Sequence, residues 1–118
     1  MIRLLSRHFS VKTLRQTPLA GGLVTLSVRQ GNLLEETTEV IINPANMNLQ
    51  HGAGVAGDIV KAGGQIIQDE SDDILNKFGS GVIPVGNCVA TSAGSLPFKK
   101  IVHTVGPYWI EGGYKKPL

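Results

Sequence analysis

The chain has 118 residues, of which 42% are hydrophobic and 17% are charged, and this balance is typical of one globular domain rather than of a disordered chain. Its formal net charge is +2, although residues 1–34 carry five basic and no acidic side chains and residues 35–118 carry six basic and nine acidic ones. The sequence shows no basic stripe along a predicted element and no stretch of ~20 apolar residues, so we expect neither a nucleic acid partner nor a membrane span.

The first twenty residues form a basic segment. They are rich in Arg, contain Ser and lack acids, a composition typical of organelle presequences and also of a basic N-terminal arm. Both interpretations stay open, so the predicted location is intracellular, either cytoplasmic or mitochondrial. Cys88 is the only cysteine, which excludes an intrachain disulfide and a cysteine-based metal cluster. No metal and no cofactor is predicted.

Two strands are predicted in the first half of the chain. Residues 24–29 alternate apolar and polar side chains, the pattern of a half-buried strand. Residues 40–42 are a short run of β-branched side chains, which favours a buried strand. Asn43 and Pro44 are expected to end this strand, because proline has no N–H to donate to a strand ladder.

Helices and strands alternate in the rest of the chain. Residues 55–62 are predicted as a short helix that two glycines end, and residues 65–78 as a second helix. The apolar side chains that fall close to one face of the second helix are Ile66, Ile67, Ile74, Leu75 and Phe78. Residues 88–91 and 100–105 are strand candidates. This order of elements predicts an α/β fold.

The most informative stretch covers residues 40–57, with the sequence VIINPANMNLQHGAGVAG. A buried strand leads into a polar turn, and three glycines then precede or open a helix. Backbone N–H groups of a glycine-rich loop at a helix N-terminus form an anion site, because both the unpaired donors and the helix dipole favour phosphate. A glycine-rich turn without a ligand is the alternative, and the local sequence leaves both open.

Residues 52–57 also match G-x-G-x-x-G, the fingerprint of nicotinamide dinucleotide-binding folds, with Asp72 and Asp73 about twenty residues further on. That fingerprint requires a strand that ends directly at the first glycine. Here the predicted strand ends near Asn43, and the mostly polar residues 44–51 intervene. The spacing therefore argues against a fragment of a nicotinamide-dependent oxidoreductase.

Four motifs, in order along residues 24–109, resemble the macrodomain family. They are a G-D-I-like turn at residues 31–33, an N-A-A-N-like turn at residues 43–46, an H-G-G-G-V-like loop at residues 51–55, and H-T-V-G-P at residues 103–107. Cellular mono-ADP-ribosyl-binding macrodomains and viral macrodomains both carry this pattern. The resemblance implies a three-layer α/β/α sandwich with a mixed sheet, and a ligand, ADP-ribose, in a cleft at the strand ends.

The resemblance also implies roles for single residues. Asn32 stands where the family usually has an Asp that accepts a hydrogen bond from the adenine amine, and an Asn carbonyl would accept it without charge assistance, so we expect weaker adenine binding. Leu33 would pack beside the adenine. Ala45 and Asn46 belong to the turn that contacts the distal ribose, with Asn46 as the hydrogen-bonding side chain. An Asx turn is the alternative for Asn46.

The loop formed by Gly52, Ala53, Gly54 and Val55 matches the family loop that wraps the diphosphate and the distal ribose through backbone N–H groups. Ala53 replaces a usual glycine in this loop. An alanine would be strained there if the position required a positive φ, and tolerated if it required only a close approach.

Ala56 and His51 bear on whether the chain is an enzyme. Ala56 follows the diphosphate loop and is also a predicted ligand-binding residue. It stands where one hydrolase subgroup has a catalytic Asp, and family members with Ala there include both pure binders and viral-type hydrolases. His51 matches the histidine of those Ala-bearing members, and a surface loop histidine is the alternative. If the chain is a hydrolase, Asn46 and His51 are the predicted catalytic residues.

Three functions stay open within this family. They are binding of ADP-ribose or of mono-ADP-ribosylated protein, hydrolysis of the ADP-ribosyl or O-acetyl-ADP-ribose linkage, and no ligand function in a truncated paralogue. Family members continue beyond H-T-V-G-P with further strands, a helix and a second glycine-rich loop. We therefore expect residues 1–20 to be the basic arm or presequence, and residues 21–118 to be a partial, C-terminally truncated macrodomain whose sheet a partner chain could complete.

Overall fold

A computed structural model describes residues 11–108 of the chain. These residues fall into two compact units, within Met1–Thr37 and Thr38–Leu118. Each unit is described separately.

The first unit is an antiparallel hairpin. Strand β1 (Lys12–Leu19) pairs with strand β2 (Val24–Gln30), and a short 3₁₀ turn at Ala20–Gly22 connects them. Strand β2 confirms a strand at residues 24–29, but the prediction that it is half-buried is wrong, because every residue of β2 except Ser27 is exposed. Strand β1 uses residues of the segment assigned above to a basic arm or a presequence, and residues 1–10 of that segment lie outside the described residues.

The second unit combines a mixed sheet with two helices. Strand β3 (Val40–Ala45) runs parallel to β5 (Lys100–Val105), and β4 (Cys88–Thr91) pairs antiparallel with the other side of β5. Helices α1 (Gly54–Gly63) and α2 (Ile66–Lys77) lie between β3 and β4 in the sequence. This arrangement confirms the predicted α/β fold with a mixed sheet, and each of these helices and strands overlaps its predicted range.

The prediction that Asn43 and Pro44 end the strand is wrong. Strand β3 continues through both residues to Ala45, and Pro44 stands in register with Thr104 of β5. In the described sheet β3 is an edge strand that pairs only with β5. A proline is tolerated on an edge strand because its missing N–H can face away from the partner strand.

One face of the sheet forms the core of the second unit. Side chains alternate along β3, where Ile41 and Asn43 are buried while Val40 and Ile42 are exposed. Strand β5 repeats the alternation, and α1 and α2 pack against each other and contact β3 and β4. The period of two along both strands is what places every second residue under the helices.

The two helices meet at a glycine. Gly64, with φ of 106°, caps α1 at its C-terminus, which confirms that glycines end this helix. Gly63 is buried, and its carbonyl accepts a hydrogen bond from the Ser95 N–H at 2.8 Å. On α2, Ile67 is buried, but the predicted apolar face is only partly covered, because Ile66 and Phe78 stand at the two ends of the helix and are exposed.

The helices of the described residues contain ten and twelve residues. Within residues 11–108, none is long and apolar enough to cross a membrane.

We expect Gly63→Ala to destabilise the second unit. A Cβ at this position would collide with the Ile67 side chain and would lie 2.9 Å from the Ala93 carbonyl oxygen. Overpacking of this kind costs about 1–3 kcal/mol of unfolding free energy, which urea denaturation would measure. Gly79→Ala is the control, because a Cβ there meets no atom within 4 Å. Equal stability of the two variants would contradict the packing argument.

Candidate functional site

A cleft opens at the carboxyl ends of β3 and β5, beside the start of α1. Its volume is about 460 Å³, within the range of small-molecule sites. Ligands of open α/β sheets bind outside the carboxyl ends of the strands. The residues that line the cleft are Pro44, Ala45, Asn46, Gln50, Ala53, Ala56, Thr104, Gly106, Pro107 and Tyr108.

Four of the predicted site residues line this cleft: Ala45, Asn46, Ala53 and Ala56. The predicted residues Gly52, Gly54 and Val55 are exposed in the same loop and at the start of α1, but they are not among the lining residues. Sequence reasoning assigned no role to Gln50 or to residues 104–108. The H-T-V-G-P motif ends a predicted strand, and strand ends carry ligand sites in α/β folds. This position is the signal that could have indicated a role for residues 104–108.

The N-terminus of α1 faces this cleft without a capping side chain. Ala53 is the N-cap residue and makes no side-chain cap hydrogen bond, and the first turn contains no acidic residue. Since the Gly57 N–H is the first to bond within the helix, to the Ala53 carbonyl, the N–H groups of Gly54, Val55 and Ala56 have no intrahelical acceptor. The helix start therefore presents free donors and the positive end of the dipole.

The conformation of the loop resolves the question about Ala53. Its φ of −153° and ψ of 171° are extended backbone that any residue adopts, so an alanine is not strained there. The neighbouring Gly54 has φ of 61°, in the left-handed region. The glycine requirement in this loop therefore falls on position 54.

Asn46 is exposed and closes a local turn. Its Oδ1 accepts a hydrogen bond from the Gln50 N–H, and its Nδ2 donates to the Gln50 carbonyl, both at 3.0 Å. These local bonds reach the backbone four residues on, whereas an Asx turn would bond the backbone two residues on, so they are not those of the Asx turn considered for Asn46. A carboxamide has a second N–H and a second lone pair, so Asn46 keeps hydrogen-bonding capacity for a ligand.

His51 and His103 form a buried stacked pair. Their ring centroids lie 4.7 Å apart with planes inclined by 22°, and the two residues are 5% and 0% exposed. His51 Nε2 lies 2.9 Å from Ser71 Oγ. The His51 side chain is buried and does not line the cleft. Its predicted catalytic role stays a prediction.

His103 joins the three strands of the sheet. Its Nδ1 lies 3.0 Å from Asn43 Nδ2 and its Nε2 lies 2.9 Å from Thr91 Oγ1. The Thr91 hydroxyl donates to the Ser92 carbonyl, so Thr91 Oγ1 accepts from His103 Nε2–H. His103 Nδ1 accepts from Asn43 Nδ2–H, and the ring is therefore neutral in this arrangement. Burial, and then the proximity of His51, lower the pKa of His103 to about 4. Burial also lowers the pKa of His51, which Asp72 partly opposes.

Asn32 and Leu33 lie in the first unit. Asn32 Oδ1 accepts a hydrogen bond from the Leu34 N–H at 2.9 Å and so caps the short 3₁₀ turn Leu33–Glu35. Their predicted contacts with adenine stay predictions. Among residues 11–108, no group of three or more His, Cys, Asp and Glu side chains is arranged to hold a metal ion.

Comparison with known proteins places the chain in a family. The family model described as Macro domain matches residues 42–117, which include the cleft loop, both helices, and strands β4 and β5. The chain belongs to the macrodomain family. This confirms the family that the four sequence motifs indicated.

Three relatives illustrate the similarity of this macrodomain to known proteins. An uncharacterized protein of Saccharolobus solfataricus is 51% identical over 84 residues, 70% of this chain and 46% of that protein. O-acetyl-ADP-ribose deacetylase 1 of Pantoea vagans is 42% identical over 87 residues, 74% of this chain and 50% of that enzyme. The Oceanobacillus iheyensis macrodomain with ADP superposes with a TM-score of 0.76 at 33% identity, over 86% of this chain and 53% of that one. The chain thus spans about half the length of these relatives.

We expect the macrodomain to lose stability as the pH falls from 7 to 5. The unfolded chain binds a proton at His103 near pH 6.5, whereas the native pKa is about 4, so protons favour the unfolded state throughout this interval. The free energy of unfolding in urea should fall by about 2 kcal/mol from His103 alone. NMR titration of the His103 ring provides the direct check, and a midpoint near 6.5 would contradict the burial argument.

Proposed function

We propose that this macrodomain binds ADP-ribose, either free or attached to a protein. The observation that carries the proposal is the uncapped N-terminus of α1 at a cleft on the strand ends, in a chain of this family. The ADP in the Oceanobacillus structure and the name of the Pantoea deacetylase support a ligand that contains an adenosine diphosphate and a ribose.

The diphosphate is assigned to the start of α1. The free N–H groups of Gly54, Val55 and Ala56 and the helix dipole both favour an anion, and the absence of acidic residues from the first turn removes a competing charge. Ala53 and Ala56 present only methyl groups to the cleft, so a phosphate can approach the backbone closely. These features explain why the site is built from small residues.

The distal ribose is assigned to Asn46. This residue lines the cleft together with Ala45 at the end of β3, and its carboxamide can donate and accept toward hydroxyl groups. Asn32 and Leu33 are proposed to contact the adenine, in accord with the family motif. The charge-assisted bond of the usual Asp is replaced by a neutral one at Asn32, so the diphosphate and ribose contacts supply most of the affinity.

Hydrolysis is the second candidate function, because one relative is named an O-acetyl-ADP-ribose deacetylase. Among the described residues that line the cleft, within 11–108, Tyr108 is the only one with a titratable side chain. A hydrolytic mechanism would therefore rely on Asn46 to orient the ribose and on a phosphate of the substrate to help activate water. Without that help from the substrate phosphate, the mechanism would require a general base within hydrogen-bond reach of the water.

A carboxylate at the helix start should weaken the proposed binding. We expect Ala53→Glu to weaken ADP-ribose binding by at least about tenfold, because the charge would oppose the diphosphate at close range. Ala62→Glu introduces the same side chain in the last turn of α1 and should leave the affinity within about twofold. Titration calorimetry provides the measurement. Wild-type protein that gives no heat and no thermal shift with ADP-ribose would overturn the proposed function.

The enzymatic candidate has a separate test. If the protein releases ADP-ribose from a mono-ADP-ribosylated protein or acetate from O-acetyl-ADP-ribose, Asn46→Ala should reduce the rate by at least about a hundredfold, because the ribose would lose its orientation. Chromatographic detection of released product measures the rate. Unchanged turnover in Asn46→Ala would remove the role of Asn46, and wild-type protein that binds ADP-ribose without turnover would leave a binding module.

A further inference from the structure

The backbone of residues 49–51 is held from two sides by side-chain amides. On one side, the Asn46 carboxamide pairs with both the N–H and the carbonyl of Gln50. On the other side, the Gln68 carboxamide of α2 donates to the Leu49 carbonyl at 2.9 Å and accepts from the His51 N–H at 3.0 Å. Together with the Leu49 N–H, which donates to the Asn46 carbonyl, these bonds satisfy the backbone polar groups from Leu49 N to His51 N.

The orientation of the Gln68 amide is fixed by a carboxylate. Gln68 Nε2 also donates to Asp72 Oδ1 at 2.9 Å, one helical turn further along α2. Because a carboxylate only accepts hydrogen bonds, the nitrogen of Gln68 must face Asp72 and its oxygen must face the His51 N–H. The side chain thus supplies two donors and one acceptor at the three places where the surrounding groups require them.

The restrained segment contains a strained residue. Leu49 has φ of 48°, in the left-handed region that residues with a Cβ adopt only at an energetic cost. Its side chain is fully buried against Ile83 and Val105. A segment with this conformation would relax if the bonds that hold it were removed, and the relaxation would move the neighbours of Leu49 on both sides.

Those neighbours form the cleft. Gln50 and Asn46 line it, and Gly52 and Ala53 lead directly from His51 to the start of α1. Where the loop enters α1, the backbone of Gly52 lies against Gly57. A Cβ added to Gly57 would lie 3.2 Å from the Gly52 carbonyl carbon. The loop is therefore anchored on α2 through Gln68 and on α1 through Gly57.

We propose that Gln68 is a positioning residue for the loop of residues 46–53, which leads from β3 to α1. It does not line the cleft, and it acts by holding Leu49 and His51 so that Asn46 and the N–H groups of α1 face the ligand together. The inference rests on the proposed function, because its effect is read in ADP-ribose affinity. A displacement of about 1 Å in such a site is enough to cost a large factor in binding or rate.

The chain provides a matched control at the N-cap of the same helix. Gln65 Nε2 donates to Asp69 Oδ1 at 3.2 Å, the same amide-to-carboxylate bond at the same four-residue spacing, but on an exposed surface. We expect Gln68→Met, which keeps the side-chain length, to raise the Kd for ADP-ribose at least about tenfold by calorimetry. Gln65→Met should stay within about twofold of wild type.

Hydrogen exchange separates loop positioning from general stability. In Gln68→Met the His51 amide should exchange at least about tenfold faster, because it loses its acceptor. The amide of Ile101 in the core strand should keep its wild-type rate. An equal acceleration at both positions would assign Gln68 a merely structural role and would overturn the inference.

Gln68→Glu supplies a second variant with a pH-dependent outcome. At pH 7.5 the carboxylate lacks the donors and faces Asp72, so ADP-ribose binding should weaken as in Gln68→Met. The nearby carboxylate raises the pKa of the new acid, and near pH 5 the protonated form regains one of the two donors of Gln68 while it still accepts from the His51 N–H. Its affinity relative to wild type at the same pH should then recover by at least about threefold.

The outcomes distinguish the two proposals. Wild-type protein that does not bind ADP-ribose overturns the proposed function and with it the role of Gln68. Wild-type binding that Gln68→Met leaves within twofold, or a Gln68→Glu variant without recovery at pH 5, overturns only the positioning role. Three results together support the positioning role: Gln68→Met but not Gln65→Met weakens ADP-ribose binding, the His51 amide but not the Ile101 amide exchanges faster in Gln68→Met, and Gln68→Glu regains affinity near pH 5.

Discussion

The parallel pairing of β3 with β5 is the constraint on which the site depends. It places Ala45 in register with Val105, so both strands end at the same edge and the chain must leave the sheet there on each side. The strand ends and the start of α1 enclose the cleft at this edge. The pairing is secured in the interior, where the register sets Asn43 beside His103 and the two side chains form a hydrogen bond.

The buried histidine in the second unit defines the geometry of the sheet, and it also makes the unit less stable in acid. A buried imidazole that uses both nitrogens specifies which strands meet, because Asn43 of β3 and Thr91 of β4 reach the same ring from opposite sides. Unsatisfied partners would be costly in this environment, so the bonds are strong determinants of the arrangement. The same burial disfavours the charged ring, and burial also lowers the pKa of His51, which stacks against it.

Local patterns in the sequence predict the strands, whereas the end of β3 and the backbone conformation of Ala53 depend on features that the sequence does not contain. The alternation of residues 24–29 and the β-branched run at 40–42 predict the two strands correctly because these patterns are local, but not their burial: β2 is exposed almost throughout, and only every second residue of β3 is buried. The end of β3 was misplaced because the effect of Pro44 depends on whether its strand lies at an edge, which is a property of the sheet. The question of strain at Ala53 depended on one φ angle, and the residue type alone could not supply it.

The sequence by itself determined the order of the elements, the family, and the types of group in the loop of residues 51–55, because residue periodicity, glycine positions and motif spacing are short-range properties. Only the tertiary structure decided which groups meet. Gln68 appears in the sequence as one polar residue on a helix, and its contact with Leu49 and His51 follows from the docking of α2. His103 likewise acquires its role from Asn43, sixty residues away, since side chains so far apart along the chain are brought together only by the pairing of strands.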